Sequence, residues 1–151
     1  MDVIAKNKKA YYEYFINETI EAGIVLTGDE VKSLRVGKVS INESFAETDN
    51  GELWLINADI SSYKNSSNIL ASDAKRKRKL LVKKKDINTL QGKVEREGFT
   101  IIPIKLYFNK KGFAKIEIAV AKGKKLYDKR QVKKTRDWNR EKARLLSKNN
   151  K

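Results

Sequence analysis

The chain has 151 residues, a formal net charge of +15 at pH 7, and neither cysteine nor histidine. This composition excludes disulfide bonds, thiolate metal sites and imidazole general bases from the chain. The length is typical of a single domain that can bury a core of its own. Because cysteine is absent and no long apolar run occupies the N-terminus, we expect a cytoplasmic location.

The charge is distributed unevenly along the chain. Residues 1–60 carry eleven acidic and six basic side chains, residues 61–121 carry five and fifteen, and residues 122–151 carry three and thirteen. Such an asymmetry favours a polyanion as the partner, either a nucleic acid or an anionic membrane. The last segment is also poor in apolar residues, so we expect it to be unfolded by itself.

The N-terminal part predicts one strand and one short helix. Aromatic residues at period two indicate a strand from Tyr12 to Ile20. Thr27 and Glu30 have the spacing of a capping box, and Gly37 follows as a stop signal. A helix should therefore lie between the capping box and this glycine.

A β-hairpin is predicted around Asn50 and Gly51. This pair accepts the positive φ angles that a tight hairpin turn requires. The flanking segments Ile41–Glu47 and Glu52–Ile56 supply the two strands.

A run of five cations, Lys75–Lys79, follows a polar segment from Ser61 to Asp73 that we expect to be a loop. Adjacent cations repel one another unless an anion lies against them. The apolar residues Leu80–Val82 should anchor the run to the domain. The run is either a solvated loop or a phosphate-binding segment, and its position beside an apolar anchor favours phosphate contact.

A second helix is predicted after the basic run. Asp86 can cap it, the apolar residues Ile87, Leu90 and Val94 recur at helical spacing, and Gly98 ends it.

The last regular elements form a second hairpin. Phe99–Phe108 is a predicted strand with Ile102, Ile104, Leu106 and Phe108 on one face. Pro103 cannot donate to a strand ladder, so we expect its side of the strand to be an edge. Asn109–Gly112 turns the chain, and Ala114–Val120 returns with apolar residues at alternate positions.

These elements predict a mainly β domain. Four or more antiparallel strands with short helices between them, and no βαβ rhythm, favour a small barrel, closed or nearly closed, with about three short flanking helices. We place the boundary near Lys122–Gly123. Residues 1–122 would form the barrel, and residues 123–151 a basic C-terminal tail that is disordered when free.

Several motifs, in the same order and spacing, resemble the SmpB family of SsrA-binding proteins of bacteria. The matching segments are Glu21–Ile24, Thr27–Arg35, Arg76–Leu81, Ala121–Lys125 and Asp128–Arg130. The resemblance extends from about Asn7 to Leu146. Two positions depart from the family pattern, since Ala74 stands where a proline is common and Tyr127 where an imidazole is common.

The resemblance implies an oligonucleotide-binding-type barrel and a non-catalytic role. The barrel would hold the tRNA-like part of transfer-messenger RNA, and the protein would deliver this RNA to stalled ribosomes in trans-translation. The tail would become a helix in the empty mRNA channel near the decoding centre, against small-subunit rRNA. A complex of elongation factor Tu with the aminoacylated RNA is a further implied partner, and we expect a monomer without cofactor, metal or membrane contact.

The candidate RNA-binding residues combine the basic positions with three residues that only the resemblance selects. By sequence alone, Asn7 and Glu21 would be ordinary polar residues and Leu81 a core residue. The complete candidate set is Asn7, Lys8, Lys9, Glu21, Lys75, Arg76, Lys77, Arg78, Lys79, Leu81, Lys122, Lys124 and Lys125.

A second set of candidates lies in the tail and would contact the ribosome. Cations there suit phosphates, Tyr127 offers a face for stacking, and Trp138 shares one side of a helix with two leucines. Trp138 either anchors on the ribosome or packs back onto the barrel, and we favour the anchor. The set is Tyr127, Asp128, Lys129, Arg130, Lys133, Lys134, Arg136, Trp138, Leu145 and Leu146.

Three other functions are compatible with parts of the pattern. A ribosomal constituent would bind rRNA through the barrel and carry the tail as a permanent basic extension. A nuclease would need a paired-carboxylate metal site, for which Asp29 with Glu30 and Asp49 with Glu52 are the close acidic pairs. A membrane-surface protein would need a hydrophobic anchor, and no such segment is present in the sequence.

Overall fold

The computed structural model describes residues 2–61 and 74–124. The predicted loop at Ser61–Asp73, apart from its first residue, and all ten ribosome-contacting tail candidates lie outside the described residues. Within the described ranges the strands are β1 (Asp2–Lys6), β2 (Tyr14–Ile24), β3 (Val39–Ser40), β4 (Phe45–Asp49), β5 (Glu52–Ile56), β6 (Asp59–Ile60), β7 (Arg78–Leu81), β8 (Thr100–Phe108) and β9 (Ala114–Gly123). The helices are α1 (Ala10–Glu13), α2 (Gly28–Arg35) and α3 (Lys84–Glu97).

The main sheet forms a closed ring of antiparallel strands. Its order is β1-β8-β4-β5-β7-β2-β9, and β9 also pairs with β8. β1 is an additional strand on β8, and β3 pairs with β6 in a separate small ladder. The predicted mainly β fold with flanking helices is confirmed, although β8 has three partner strands and the ring is not a regular barrel.

The first strand differs from its prediction. Tyr12 belongs to α1, and β2 begins at Tyr14 and continues to Ile24. β1 was not predicted, because its apolar residues are consecutive and do not alternate with polar ones, and none of its residues is fully buried. It is held by pairing with β8, a contact more than 95 residues away in sequence that local periodicity does not reveal.

Local signals located α2 and both hairpin turns correctly, but the strand predicted at Ile41–Glu47 begins only at Phe45 and ends at Asp49. Thr27 and Glu30 form the capping box, and Gly37 has a φ of 75°. Asp49 pairs with Glu52 across the first turn. In the second hairpin Phe108 pairs with Ala114, and the side-chain oxygen of Asn109 accepts backbone hydrogen bonds from Lys111 and Phe113.

Helix α3 begins earlier than predicted. Its first residue is Lys84, so Asp86 lies inside the first turn instead of capping it, and no side chain caps the helix at Lys83. Gly98 ends the helix in the left-handed conformation, as predicted. Ile87 and Leu90 are buried against the sheet.

A bulge in β8 contradicts the predicted single apolar face. The register with β9 shifts between Pro103 and Lys105, and an extra residue reverses which side chains face inward. Ile101 and Leu106 consequently join the main core, whereas Ile102 and Ile104 pack in a second cluster with Ala10, Ala119 and Ala121. β8 has neighbours on both sides and is not an edge strand. Pro103 itself lies between Ile101, which pairs with β4, and Lys105, where the pairing with β1 begins, so no ladder of the described strands requires its missing N–H there.

Candidate nucleic-acid interface

The basic run enters the sheet as β7, between β5 and β2. Strand alternation then sends its side chains to opposite faces. Arg78 and Leu80 point inward and are 0% and 1% exposed, whereas Leu81 is 54% exposed. Lys79 is partly exposed and Lys75 is exposed. Two of the five cations, Arg78 and Lys79, therefore belong to a strand.

A single carboxylate holds two of the five cations. Arg78 donates from Nε to Glu30 Oε2 at 2.5 Å, and Arg76 donates from Nη2 to Glu30 Oε1 at 2.5 Å. The Arg78 guanidinium also donates to the carbonyl oxygens of Ala58 at 2.8 Å and Ala74 at 2.9 Å. Arg78 is thus satisfied inside the protein and presents no surface to a partner.

Glu30 belongs to the capping box as well, because its Oε1 accepts from the backbone N–H of Thr27 at 2.8 Å. Burial by itself would raise the pKa of Glu30. The hydrogen bonds from Arg76 and Thr27 and the charge of Arg78 outweigh burial and lower the pKa below its ordinary value. The residue therefore remains a carboxylate and joins α2 to β7.

The outward cations of the run are paired with the first hairpin. Lys77 lies 3.1 Å from Asp49 and 4.7 Å from the ring centre of Trp54, and Lys79 lies 3.1 Å from Glu52. Anions do lie against the run, as the mutual repulsion of the cations requires, and these anions are carboxylates of the same chain. The acidic N-terminal part of the chain supplies the counterions.

Leu81 and Glu21 lie on adjacent strands. Gly23 is in β2 and pairs with Leu81 of β7. A side chain at Gly23 would approach Leu81 Cβ to 3.2 Å. The glycine therefore allows close packing of the leucine while leaving about half of it exposed.

Glu21 is exposed in β2, directly opposite Glu117 of β9. The hydroxyl of Tyr107, on β8, donates to Glu21 Oε2. Glu117 in turn lies 3.4 Å from Lys105. No linear signal singled out Tyr107, because only the sheet order brings β8 and β2 to opposite sides of β9.

Asn7 is 6% exposed and sits beside the bulge of β8. It donates from Nδ2 to the Pro103 carbonyl at 3.0 Å and from its backbone N–H to the Ile104 carbonyl at 2.8 Å. Its Oδ1 has no hydrogen-bond partner within the described residues. Lys8 and Lys9 beside it are exposed, and Lys9 lies 3.3 Å from Glu43.

Lys122 and Lys124 lie at the other end of β2. Lys122 pairs with Phe15 in the ladder and its Nζ lies 4.6 Å from the ring centre of Phe99. Lys124 lies 5.2 Å from the Phe15 ring and donates to the Tyr11 carbonyl at 3.2 Å. Phe15 lies eight positions before Gly23 in β2, about 27 Å away. Strand alternation in β9 puts Lys122 on the same face as Val120 of the main core, and Glu117, the partner of Glu21, on the opposite face. Lys125, the last RNA-binding candidate, lies outside the described residues.

The acidic pairs considered for metal binding have other contacts. Asp49 and Glu52 each face a lysine, and Glu30 faces two arginines. In the part of the chain that the structure describes, no group of three potential metal ligands is present. None of the helices in the described ranges is long and apolar enough to cross a membrane.

Three comparisons with known proteins, by family model, by sequence and by structure, agree with one another. A family model described as "SmpB protein" matches residues 4–148. The SsrA-binding proteins of Nitrobacter hamburgensis and Bradyrhizobium diazoefficiens are each 58% identical to the chain over 144 residues, which covers 95% of this chain and 91% of each relative. A chain from a solved structure described as "tmRNA-SmpB: a journey to the center of the bacterial ribosome" is 49% identical with a TM-score of 0.66. That alignment covers 79% of this chain and 82% of the other.

Proposed function

The chain belongs to the SmpB protein family, and on this premise we propose that it is an RNA-binding adaptor of ribosome rescue. It binds the tRNA-like part of transfer-messenger RNA and brings that RNA to stalled ribosomes in trans-translation. The observation that carries the proposal is the high identity to SsrA-binding proteins along almost the whole chain. The fold supports it with a basic surface on a closed sheet.

The RNA surface in this proposal follows β2 and its neighbours. Leu81 supplies an exposed apolar contact, Glu21 accepts hydrogen bonds from base amino groups or ribose hydroxyls, and lysines at both ends contact phosphates. Lys75, Lys77 and Lys79 face outward, while Arg76 and Arg78 brace the strand through Glu30. Asn7 is buried, and its Oδ1 is inaccessible in the free protein, so in this proposal it holds β1 against β8 and does not contact the RNA.

The tail has a separate role in this proposal. Residues 123–151 enter the empty mRNA channel, where cations contact rRNA and Trp138 anchors a helix of about 30 Å. Elongation factor Tu joins the complex through the aminoacylated RNA, and the protein acts in the cytoplasm as a monomer without catalysis. These details rest on the family relationship and on the charge of the tail.

Sequencing the RNA that co-purifies with the chain from cells tests the RNA partner. We expect one dominant structured RNA, lost when Glu21 is replaced by alanine. A mixture of rRNA fragments, unchanged by Glu21→Ala, would contradict the proposal.

A truncation after Gly123 tests whether the barrel binds the RNA and the tail acts on the ribosome. The shortened protein should retain affinity for the tRNA-like RNA, apart from the contribution of Lys124 and Lys125, but lose peptide tagging on stalled ribosomes in a reconstituted system. Trp138→Ala in the full chain serves as the milder variant. Full tagging by the truncated protein would contradict the role given to the tail.

A further inference from the structure

Tyr107 stands apart from the other residues near the proposed RNA surface. It is 4% exposed, yet its hydroxyl reaches the exposed carboxylate of Glu21. The two residues lie on β8 and β2, on opposite sides of β9. Strands two positions apart in a sheet are separated by about 10 Å, a gap that one tyrosine and one glutamate can bridge together.

The Glu21 side chain needs a partner to hold it in one orientation, because the residue opposite it is also a carboxylate. Glu21 is directly opposite Glu117 in the ladder, and like charges in that position repel. Lys105, which pairs with Glu117 in the adjacent ladder, binds the Glu117 carboxylate at 3.4 Å. Tyr107 is the group that holds Glu21, and the two carboxylates are thereby fixed by different partners.

The Tyr107 hydroxyl keeps its proton and can therefore donate to Glu21. Burial raises the pKa of Tyr107 strongly, and the hydrogen bond to Glu21 and the charges of Glu21 and Glu117 raise it further. Tyr107 therefore remains protonated. Glu21 Oε2 is occupied by this bond, whereas Oε1 remains available at the surface as an acceptor.

We propose that Tyr107 is a positioning residue that holds the Glu21 carboxylate in the orientation in which it accepts a hydrogen bond from RNA. The inference rests on the proposed function, because it assumes that Glu21 contacts the RNA. A glutamate that is already ordered in the free protein loses less side-chain freedom on binding. The buried ring contributes no contact of its own to the RNA.

A double-mutant cycle tests the inference, with the full chain and a transcribed tRNA-like fragment of transfer-messenger RNA as the probe. Tyr107→Phe removes only the hydroxyl and should weaken binding about 3- to 10-fold, the effect of leaving one flexible side chain to be ordered on binding. In a Glu21→Ala background the same change should have no effect on affinity. Tyr14→Phe, at a half-buried tyrosine of β2 that packs on the second core cluster, is the matched control and should bind like the wild type.

The possible outcomes separate the inference from the proposed function. If Tyr107→Phe weakens binding equally with and without Glu21, the tyrosine acts through the core and the positioning role is wrong. If Tyr107→Phe binds normally while Glu21→Ala does not, the inference fails and the proposed function stands. If the wild-type chain does not bind the fragment at all, the proposed function fails.

A measurement without RNA tests the contact itself. Alkaline titration of tyrosine absorbance should show one tyrosine whose ionisation moves to lower pH when Glu21 is replaced by alanine, because the hydrogen bond and the negative charge are both removed. The Tyr107→Phe variant identifies that tyrosine. An unchanged titration in Glu21→Ala would overturn the inference whatever the affinity for RNA.

Discussion

Glu30 of α2 and Arg78 of β7 are 48 residues apart in sequence, and their side chains meet at 2.5 Å inside the protein. The side chains are 7% and 0% exposed. The glutamate that caps a helix by a local motif thus also neutralises the buried member of the basic run. The Glu30 carboxylate therefore joins the start of α2 to β7, a strand of the proposed RNA surface.

Replacing Glu30 by glutamine should destabilise the fold by about 3 to 5 kcal/mol. The change leaves the buried guanidinium of Arg78 without a counter-charge, which costs far more than the loss of a surface pair. Chemical denaturation measures the free energy of unfolding. Glu43→Gln, at an exposed carboxylate paired with Lys9, is the control and should change it by less than about 1 kcal/mol. Equal effects in the two variants would contradict the buried role of Glu30.

The contribution of Glu30 to stability should depend on pH in the acid range. Its folded-state pKa lies below the ordinary value, so this contribution is complete above the unfolded-state pKa and is lost as the pH falls through the folded-state pKa. Unfolding free energies of the wild type and Glu30→Gln, measured at a series of pH values, should converge towards low pH. A difference that stays constant from neutral to strongly acid pH would show that ionisation of Glu30 is not the cause.

The neighbouring leucines of β7 should respond in opposite ways to truncation. Leu80→Ala creates a cavity at a residue that is 1% exposed and should cost about 2 to 5 kcal/mol of stability. Leu81→Ala should leave stability within about 0.5 kcal/mol but weaken binding to the tRNA-like RNA by roughly 1 to 2 kcal/mol. Thermal unfolding and RNA titration measure the two effects. Normal RNA affinity of Leu81→Ala would remove this residue from the proposed surface.

The local signals in the sequence were sufficient for turns and caps but not for the pairing of distant segments. Asn50 with Gly51 specified the first hairpin, and Thr27 with Glu30 specified the start of α2, because each signal involves residues within one turn. β1 and the bulge after Pro103 depend on tertiary pairing, and period-two patterns contain no information about either.

The candidate site also has features that local sequence predicts and features that depend on tertiary pairing. Charge selected the basic run as a candidate, but a count of cations could not distinguish the buried Arg78 from the outward Lys77. That distinction depends on where strand alternation begins and on which carboxylates the fold brings near. Tyr107 could not be selected from sequence, since its link to Glu21 crosses a third strand.

Removing the two hairpin carboxylates should increase affinity for RNA. Asp49→Asn with Glu52→Gln frees Lys77 and Lys79 from their intramolecular pairs, and exposed pairs of this kind are worth at most about 1 kcal/mol each. We expect about two- to fivefold tighter binding. Filter binding at several salt concentrations measures it.

The control for this prediction is Glu95→Gln with Glu97→Gln on α3. It changes the net charge by the same amount, at exposed positions that are not candidate RNA-binding residues. If both double variants bind equally well, the gain is due to overall charge and the local pairs have no effect.

The ring of strands closes between β4 and β8. The ladder there has one residue pair, Ala46 with Ile101. Helix α3 lies across this seam and contacts β4, β5 and β8, with Ile87 and Leu90 in the same core as Ile101. Closure at this point thus relies more on the side chains of a helix than on backbone hydrogen bonds. The seam should be the first part of the ring to exchange its amide hydrogens with solvent, and we expect the packing of α3 to limit that exchange.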